Sequence, residues 1–239
     1  MSEKRITFEG MTPGSQCYAL GKSERPEPRR IFLLSPANAS GVRAHRLFNP
    51  HAQFALAHRL RTSSAPLGEI FSFISGLYFR GKLAYAERFA NPPSGVAGVH
   101  IITAAAGLWL PQELVTLARL RTICAARVDP DDPKYRKPLE RDAQRLRAVL
   151  HPDTQVVLLG SISTPKYVLP LLEVFRERLY FPQDFVGRGD MSRGGLLLRC
   201  CSSESPLKYV PVLSVPRRGR RPPKLTPLPM PSPRYRTEF

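Results

Sequence analysis

Unbroken apolar runs alternate with amphipathic stretches along this chain. Ile31 to Leu34 is a continuous apolar run closed by Ser-Pro. That pattern predicts a strand buried on both faces, with a loop at its carboxyl end. "GVHIITAAAGLWLP" predicts a second buried strand near Val99 to Thr103, then a loop at Gly107. "DTQVVLLGS" predicts the third and clearest. Helical periodicity falls between the strands. Asn49 and Pro50 suit the start of a helix over about 51–62, with Ala52, Ala55, Leu56 and Leu60 on one face. "LYFRGKLAYAERFA" predicts a helix with Leu77, Ala84 and Arg88 on one stripe and Tyr78 and Tyr85 beside it. "PQELVTLARL" predicts a short helix with Pro111 at its start and Glu113 in its first turn, where it complements the helix dipole.

Further helices are expected over roughly 138–150, over "TPKYVLPLLEVFRERL" with Pro165 near its start, and over about 191–200. Pro170 either kinks the second of these or begins a new piece. "PLGEIFSFISG" reads equally as a strand or a helical turn, "LYFPQDF" as an edge strand or a connection, and "KYVPVL" as a further strand. Strands alternating with helices in this way are the signature of an α/β layer fold with a mainly parallel sheet. Residues 30–201 form that domain. Residues 1–29 are an irregular extension with one short strand at Ile6–Phe8, and residues 202–239 a Pro/Arg-rich tail, largely disordered.

In sheets of this kind ligands sit at the carboxyl ends of the strands. The rule selects three loops: Ser35 to Arg43, Thr103 to Leu108 and Gly160 to Lys166. The first offers Ser35, Ser40, Asn38, Gly41 and Arg43; the second Thr103 and Gly107; the third Gly160, Ser161, Ser163, Thr164 and Lys166. Small hydroxyl residues and glycine let a ligand approach backbone amides, and Arg43 or Lys166 supplies charge. The same residue types also dominate ordinary turns. A later stretch, "FVGRGDMSRGG", places Gly187, Arg188, Gly189 and Arg193 around Asp190 and Ser192, either of which can cap a helix. A helix starting there would present free N–H groups to an anion, with the arginines as a wall. A capped glycine-rich turn with no ligand is the other account. The stretch lacks the G-K-[ST] of a phosphate-binding loop and does not form a dinucleotide fingerprint.

Charge changes the picture of the ligand. The chain carries a net +17 over 239 residues. The tail holds eight Lys/Arg against two Glu, or +6, and residues 1–30 hold +2, which leaves +9 on the middle. A folded body with that excess attracts phosphates, nucleic acid or an anionic surface. The four cysteines, Cys17, Cys124, Cys200 and Cys201, form no C-x-x-C pair and read as reduced thiols of a cytoplasmic protein. The start of the chain has no secretory apolar region, and the longest apolar run is about half of what a membrane span needs. No clustered Cys/His spacing suggests a metal, and no cofactor is expected. His51 and His58 share a helical face and read as exposed; His100 opens a strand. No G-x-S-x-G elbow and no spaced pair of carboxylates points to hydrolysis.

Four segments together, "SGLYFRGKLAYAERFA", "VHIITAAAGLWLPQEL", "VVLLGSISTPKYVLPLLEVF" and "GRGDMSRGGLLLR", resemble an uncharacterised bacterial and phage α/β domain family over roughly residues 30–200. A more distant similarity is to an accessory domain of archaeosine synthases, the deazaguanine tRNA-modification proteins. The resemblance implies a three-layer Rossmann-like domain with its pocket at the strand ends, and nucleotide or nucleic-acid work. Its turn matches are Thr103, Gly107 and Leu108, and its late glycines Gly187 and Gly189. Ala105 stands where relatives often carry lysine, and the helix over 51–62 resembles an insertion.

The expectation is therefore a domain that binds a phosphorylated or nucleotide-like ligand at the strand ends, extending to an enzyme of nucleic-acid or nucleobase metabolism. Ser35, Asn38, Arg43, Thr103, Gly107, Ser161 and Lys166 surround the ligand, with Gly187, Arg188, Gly189 and Arg193 as the anion wall. The alternative is a non-catalytic nucleic-acid-binding module using the basic body and tail. A third reading gives the Pro/Arg end a protein partner. No reading involves a membrane.

Overall fold

In a computed structural model, residues 27–226 are described. Strands β1 (Arg30–Leu34), β3 (Val99–Thr103), β6 (Gln155–Leu159) and β7 (Leu179–Pro182) run parallel. Two antiparallel edges flank them: β4 (Gly107–Trp109) beside β3, and β8 (Tyr209–Pro211) beside β7. The sheet order is β4-β3-β1-β6-β7-β8. Three of the four, β1, β3 and β6, are the apolar runs of the sequence; the fourth, β7, falls in the stretch read as an edge strand or a connection. All five residues of β1 and of β3 are buried, because the sheet is covered on both sides.

The connections explain the coverage. From β1 the chain passes through α1 (Val42–Phe48), α2 (Ala55–Thr62), a short strand β2 (Ser64–Pro66), α3 (Leu67–Ser75) and α4 (Leu77–Phe89) to reach β3 on one side. It then passes through β5 (Leu114–Thr116), α5 (Leu117–Ala125) and α6 (Pro133–Val149) back across β1 to β6, and through α7 (Pro165–Phe175) to β7. Parallel crossovers are right-handed, so a reversal of direction moves the helices to the opposite face. The packing agrees: α4 lies on β1 and β3, α6 on β3 and β4, and α7 on β7. The last helix, α8 (Asp190–Ser202), packs on α4, and α6 packs on α7. The small pair β2–β5 is antiparallel and separate from the main sheet.

Several expectations need correction. The helix placed over 51–62 begins at Ala55, and α1, which no expectation covered, precedes it from the end of the Ser35–Arg43 loop. "PLGEIFSFISG" is helical, not extended. The segment after Pro111 is a strand first and a helix second. Glu113 therefore lies outside α5; it accepts from the Leu110 amide (3.0 Å). Helix α6 starts at Pro133, where Asp132 caps it by accepting from the Lys134 amide (2.8 Å), so Pro138 lies within the helix. "LYFP" is an internal parallel strand, because β8 pairs outside it. The buried face of α4 is Tyr78, Phe79, Lys82, Tyr85 and Ala86, one step round from the stripe of Leu77, Ala84 and Arg88. The proposed strand at Ile6–Phe8 lies outside the described residues.

The sheet extends past residue 201 into the segment read as a tail. Tyr85 fixes that extension: its hydroxyl pairs with that of Tyr209 (2.5 Å) and accepts from the Leu207 amide (2.7 Å). The Arg30 guanidinium stacks on the Tyr209 ring, 4.6 Å from its centroid. Among the described residues no helix is long and apolar enough to cross a membrane.

Helices α4 and α8 meet backbone to backbone. A Cβ on Gly81 would lie 2.8 Å from the Gly194 carbonyl oxygen, and one on Gly194 would lie 2.9 Å from that of Leu77. Gly194→Ala should therefore lower stability by about 1–3 kcal/mol through overpacking, read as a lower Tm in a thermal melt. An unchanged melt would mean that the helices do not cross at this pair.

Candidate functional site

A cleft of ≈ 530 Å³ opens where β1 and β6 end. These neighbours are where the strand order reverses: the chain leaves β1 toward β3 in one direction and returns past it to β6 in the other. Helices leaving adjacent strands toward opposite faces leave a gap between their loops. The floor and walls come from the whole loop Ser35 to Ser40, from Phe71, Ser75 and Tyr78 on α3 and α4, and from Ser161 after β6. Lys166 and Tyr167 on α7 and Asp190 at the start of α8 complete it.

Beneath this cleft lies a lysine that sequence reading did not single out. Lys82 is 1% exposed. Its Nζ lies 2.5 Å from the Ser35 carbonyl oxygen, to which it donates, and 2.8 Å from Ser35 Oγ. The rings of Tyr78 and Phe79 flank it, with centroids 4.6 and 4.9 Å from Nζ. Burial holds its pKa down to about 7. The Asp190 carboxylate works against that fall and the Arg193 guanidinium adds to it. The signal available in the sequence was a lysine at the centre of the Tyr78–Tyr85 helical face.

Arg193 is also buried. It donates to the Phe185 carbonyl through Nε (3.3 Å) and Nη2 (3.0 Å), and to the Gly160 carbonyl through Nη1 (3.3 Å). It thus ties α8 to the loop that follows β6. Tyr78 carries a buried hydroxyl without a hydrogen-bond partner. Burial pushes its pKa up to about 12, against the lowering influence of Arg193, so it stays protonated at neutral pH. Burial likewise pushes Cys124, on the cleft wall, up to about 11, which leaves it a poorly nucleophilic thiol. The described cysteines, Cys124, Cys200 and Cys201, are free thiols.

The residues singled out from sequence divide into four groups. Ser35, Asn38, Ser161 and Lys166 line the cleft together. Asn38 Oδ1 shapes its loop by accepting from the Ser40 amide (3.0 Å) and hydroxyl (2.8 Å). The Ser161 and Ser163 hydroxyls are 2.7 Å apart. Thr103 and Gly107 build a turn beside the cleft, and neighbouring Ala104 lines it. Thr103 Oγ1 donates to the Gly107 carbonyl (3.0 Å) and accepts from the Ala106 amide (3.0 Å). Gly107 has φ +75, and a Cβ there would meet the Asp142 carboxylate at 2.0 Å. Arg43 is spent on α3: it donates to the Phe73 carbonyl (3.5 Å) and covers Gly76.

The glycine-rich turn faces a second cleft of ≈ 330 Å³, formed by Arg188, Gly189 and Met191 against Arg221 to Leu225. Gly187 (φ +73) lies against the Arg220 carbonyl. Arg188 donates to the Asp184 carbonyl (3.0 Å). None of Gly187, Arg188, Gly189 and Arg193 lines the first cleft, so the expected anion wall is not formed there; Arg193 lies behind it, bonded to the Gly160 carbonyl. His51 and His58 are exposed, and His100 Nε2 pairs with the Ala97 carbonyl (3.0 Å). Comparison with protein-family models, with curated proteins and with solved structures finds no match.

The depressed pKa of Lys82 has a consequence for stability. Its native value near 7 lies below the 10.5 of an exposed lysine. Between the two, the unfolded chain binds the proton that the native one has released, so stability rises with pH across that window. Below pH 7 both states hold the proton and the burial penalty is constant. The difference in unfolding free energy between the wild type and Lys82→Met should climb from pH 7 toward 10.5, with a slope approaching about 1.4 kcal/mol per pH unit. Denaturant titrations over that range check it; a flat difference would mean that the native amine stays charged.

Proposed function

We propose that this chain binds a phosphorylated or nucleotide-like ligand in the cleft between the ends of β1 and β6, as an enzyme of nucleic-acid or nucleobase metabolism. The observation that carries the reading is the position of the cleft. Counted along the chain, the parallel strands lie in the order 2-1-3-4. Doubly wound, Rossmann-like sheets with that order hold nucleotides at this reversal point. The family resemblance over residues 30–200 leads to the same class of ligand.

The lining supplies the expected chemistry. Tyr78, Tyr167 and Phe71 offer aromatic surface for a base. The hydroxyls and amides of the Ser35–Ser40 loop, Ser161 and the ammonium of Lys166 gather at the other polar wall, where α7 begins without a side-chain cap. Phosphate belongs on that wall. Asp190, at the first position of α8, repels an anion and suits sugar hydroxyls instead.

A thermal-shift screen with nucleoside mono- and diphosphates tests the reading. Stabilisation that rises with ligand concentration is expected. Lys166→Glu should weaken the response by about tenfold or more, while the equivalent reversal at Arg121, outside the cleft, should not. No shift with any nucleotide or with inorganic phosphate at about millimolar concentration would end it.

A further inference from the structure

We propose that Ser35 and Lys82 form a nucleophile–base pair that hydrolyses a carboxylic ester or amide of a small molecule held in the cleft. Three observations carry this. Ser35 lines the cleft and Lys82 does not, so Ser35 stands between the amine and any ligand. The amine touches both polar atoms of that residue, at 2.5 and 2.8 Å. A neutral amine satisfies both at once: one N–H donates to the Ser35 carbonyl, and the nitrogen lone pair accepts from Ser35 Oγ–H. That is the hydrogen-bond direction a general base requires.

The surroundings bring that state within reach of neutral pH. Burial is the dominant cause of its low pKa; Arg193 on α8 lowers it further, Asp190 on the same helix raises it, and Tyr78 stays protonated. Gly160 leaves the hydroxyl its space: a Cβ there would lie 3.2 Å from Ser35 Oγ and 3.0 Å from Ser35 Cβ. Cys124, also in the lining, is held as a thiol by burial.

The reaction balances within these groups and water. Ser35 Oγ bonds to the carbonyl carbon as its proton passes to Lys82 Nζ. The carbon–oxygen or carbon–nitrogen bond then breaks, and the Lys82 ammonium gives its proton to the leaving alcohol or amine. Water attacks the acyl-serine with Lys82 again as base, releasing a carboxylic acid and restoring the serine. The proposal shares its cleft with the reading above and rests on that reading for where the substrate sits.

The test uses a fluorophosphonate ester, whose phosphorus an activated serine attacks with loss of fluoride, on the full-length chain. One adduct at Ser35 is expected by peptide mass mapping, absent from Ser35→Ala. Lys82→Met should be labelled about a hundredfold more slowly or worse. The wild-type rate should rise with pH to a plateau, with its midpoint near 7. Absence of an adduct at Ser35 in folded protein would overturn the proposal. So would a Lys82→Met rate within about twofold of wild type, or a rate that climbs with hydroxide and never levels. If Lys82→Met fails to fold by circular dichroism, the wild-type pH profile and the mapped adduct decide. Labelling needs no nucleotide, so a negative thermal-shift screen beside positive labelling sinks only the ligand reading, and the reverse pattern sinks only the dyad.

Discussion

The placement of an amine under the end of β1 constrains everything around it. Burying Lys82 removes its nitrogen from water, and the cost is tolerable only if the group is neutral or fully paired. Both polar atoms of Ser35 are within reach, and aromatic rings close the remaining sides. To bring the amine there, α4 must lie close against β1, and α8 must close over α4. Gly81 and Gly194 permit that second approach, because neither helix could come so near with a side chain at the crossing. The glycines, the aromatic rings and the serine thus serve one placement.

Strand order supplies the opening above it. Helices leave β1 and β6 toward opposite faces, so the two following loops diverge and leave a gap between them. The loop after β1 shapes itself through Asn38 and Ser40. The loop after β6 is held from behind, where Arg193 takes the Gly160 carbonyl. Arg193 shows how charge can be used for position: its fork reaches the carbonyls of two separate segments, a role that a lysine's single nitrogen would fill poorly.

Much of the architecture was legible because β1, β3 and β6 are buried on both faces and therefore read as apolar runs. The strand-end rule then located Ser35, Asn38, Ser161 and Lys166 without a motif. What escaped was set by packing between distant segments. The α4 stripe was drawn through Leu77 and Arg88, which left Lys82 on a flank, because a lysine gives no sign in sequence that its neighbours will enclose it. The residues after Pro111 looked helical in period, yet Leu114–Thr116 pairs with Ser64–Pro66, some fifty residues earlier. Pro138 read as a helix start although the Asp132–Pro133 cap lies one turn and a half before it. The glycine-rich turn met the chain's own C-terminal segment at Arg220, a contact that no local pattern announces.

The pair of buried cations explains why the wall is asymmetric. Arginine as a residue type keeps its charge when buried, whereas a buried lysine can give its proton up; burial is the main cause of the fall at Lys82, and the Arg193 guanidinium adds to it. Asp190 could hold the lysine charged, but its side chain is 72% exposed and 3.9 Å from Arg193, so water and the guanidinium screen it. Exchanging the two cations would defeat the arrangement. An arginine at 82 would stay charged against two aromatic rings, and a lysine at 193 would lose the fork that holds Gly160. The low pKa of the amine beneath Ser35 is thus chiefly the work of burial, and the guanidinium on the neighbouring helix, committed to backbone carbonyls, adds a smaller push in the same direction.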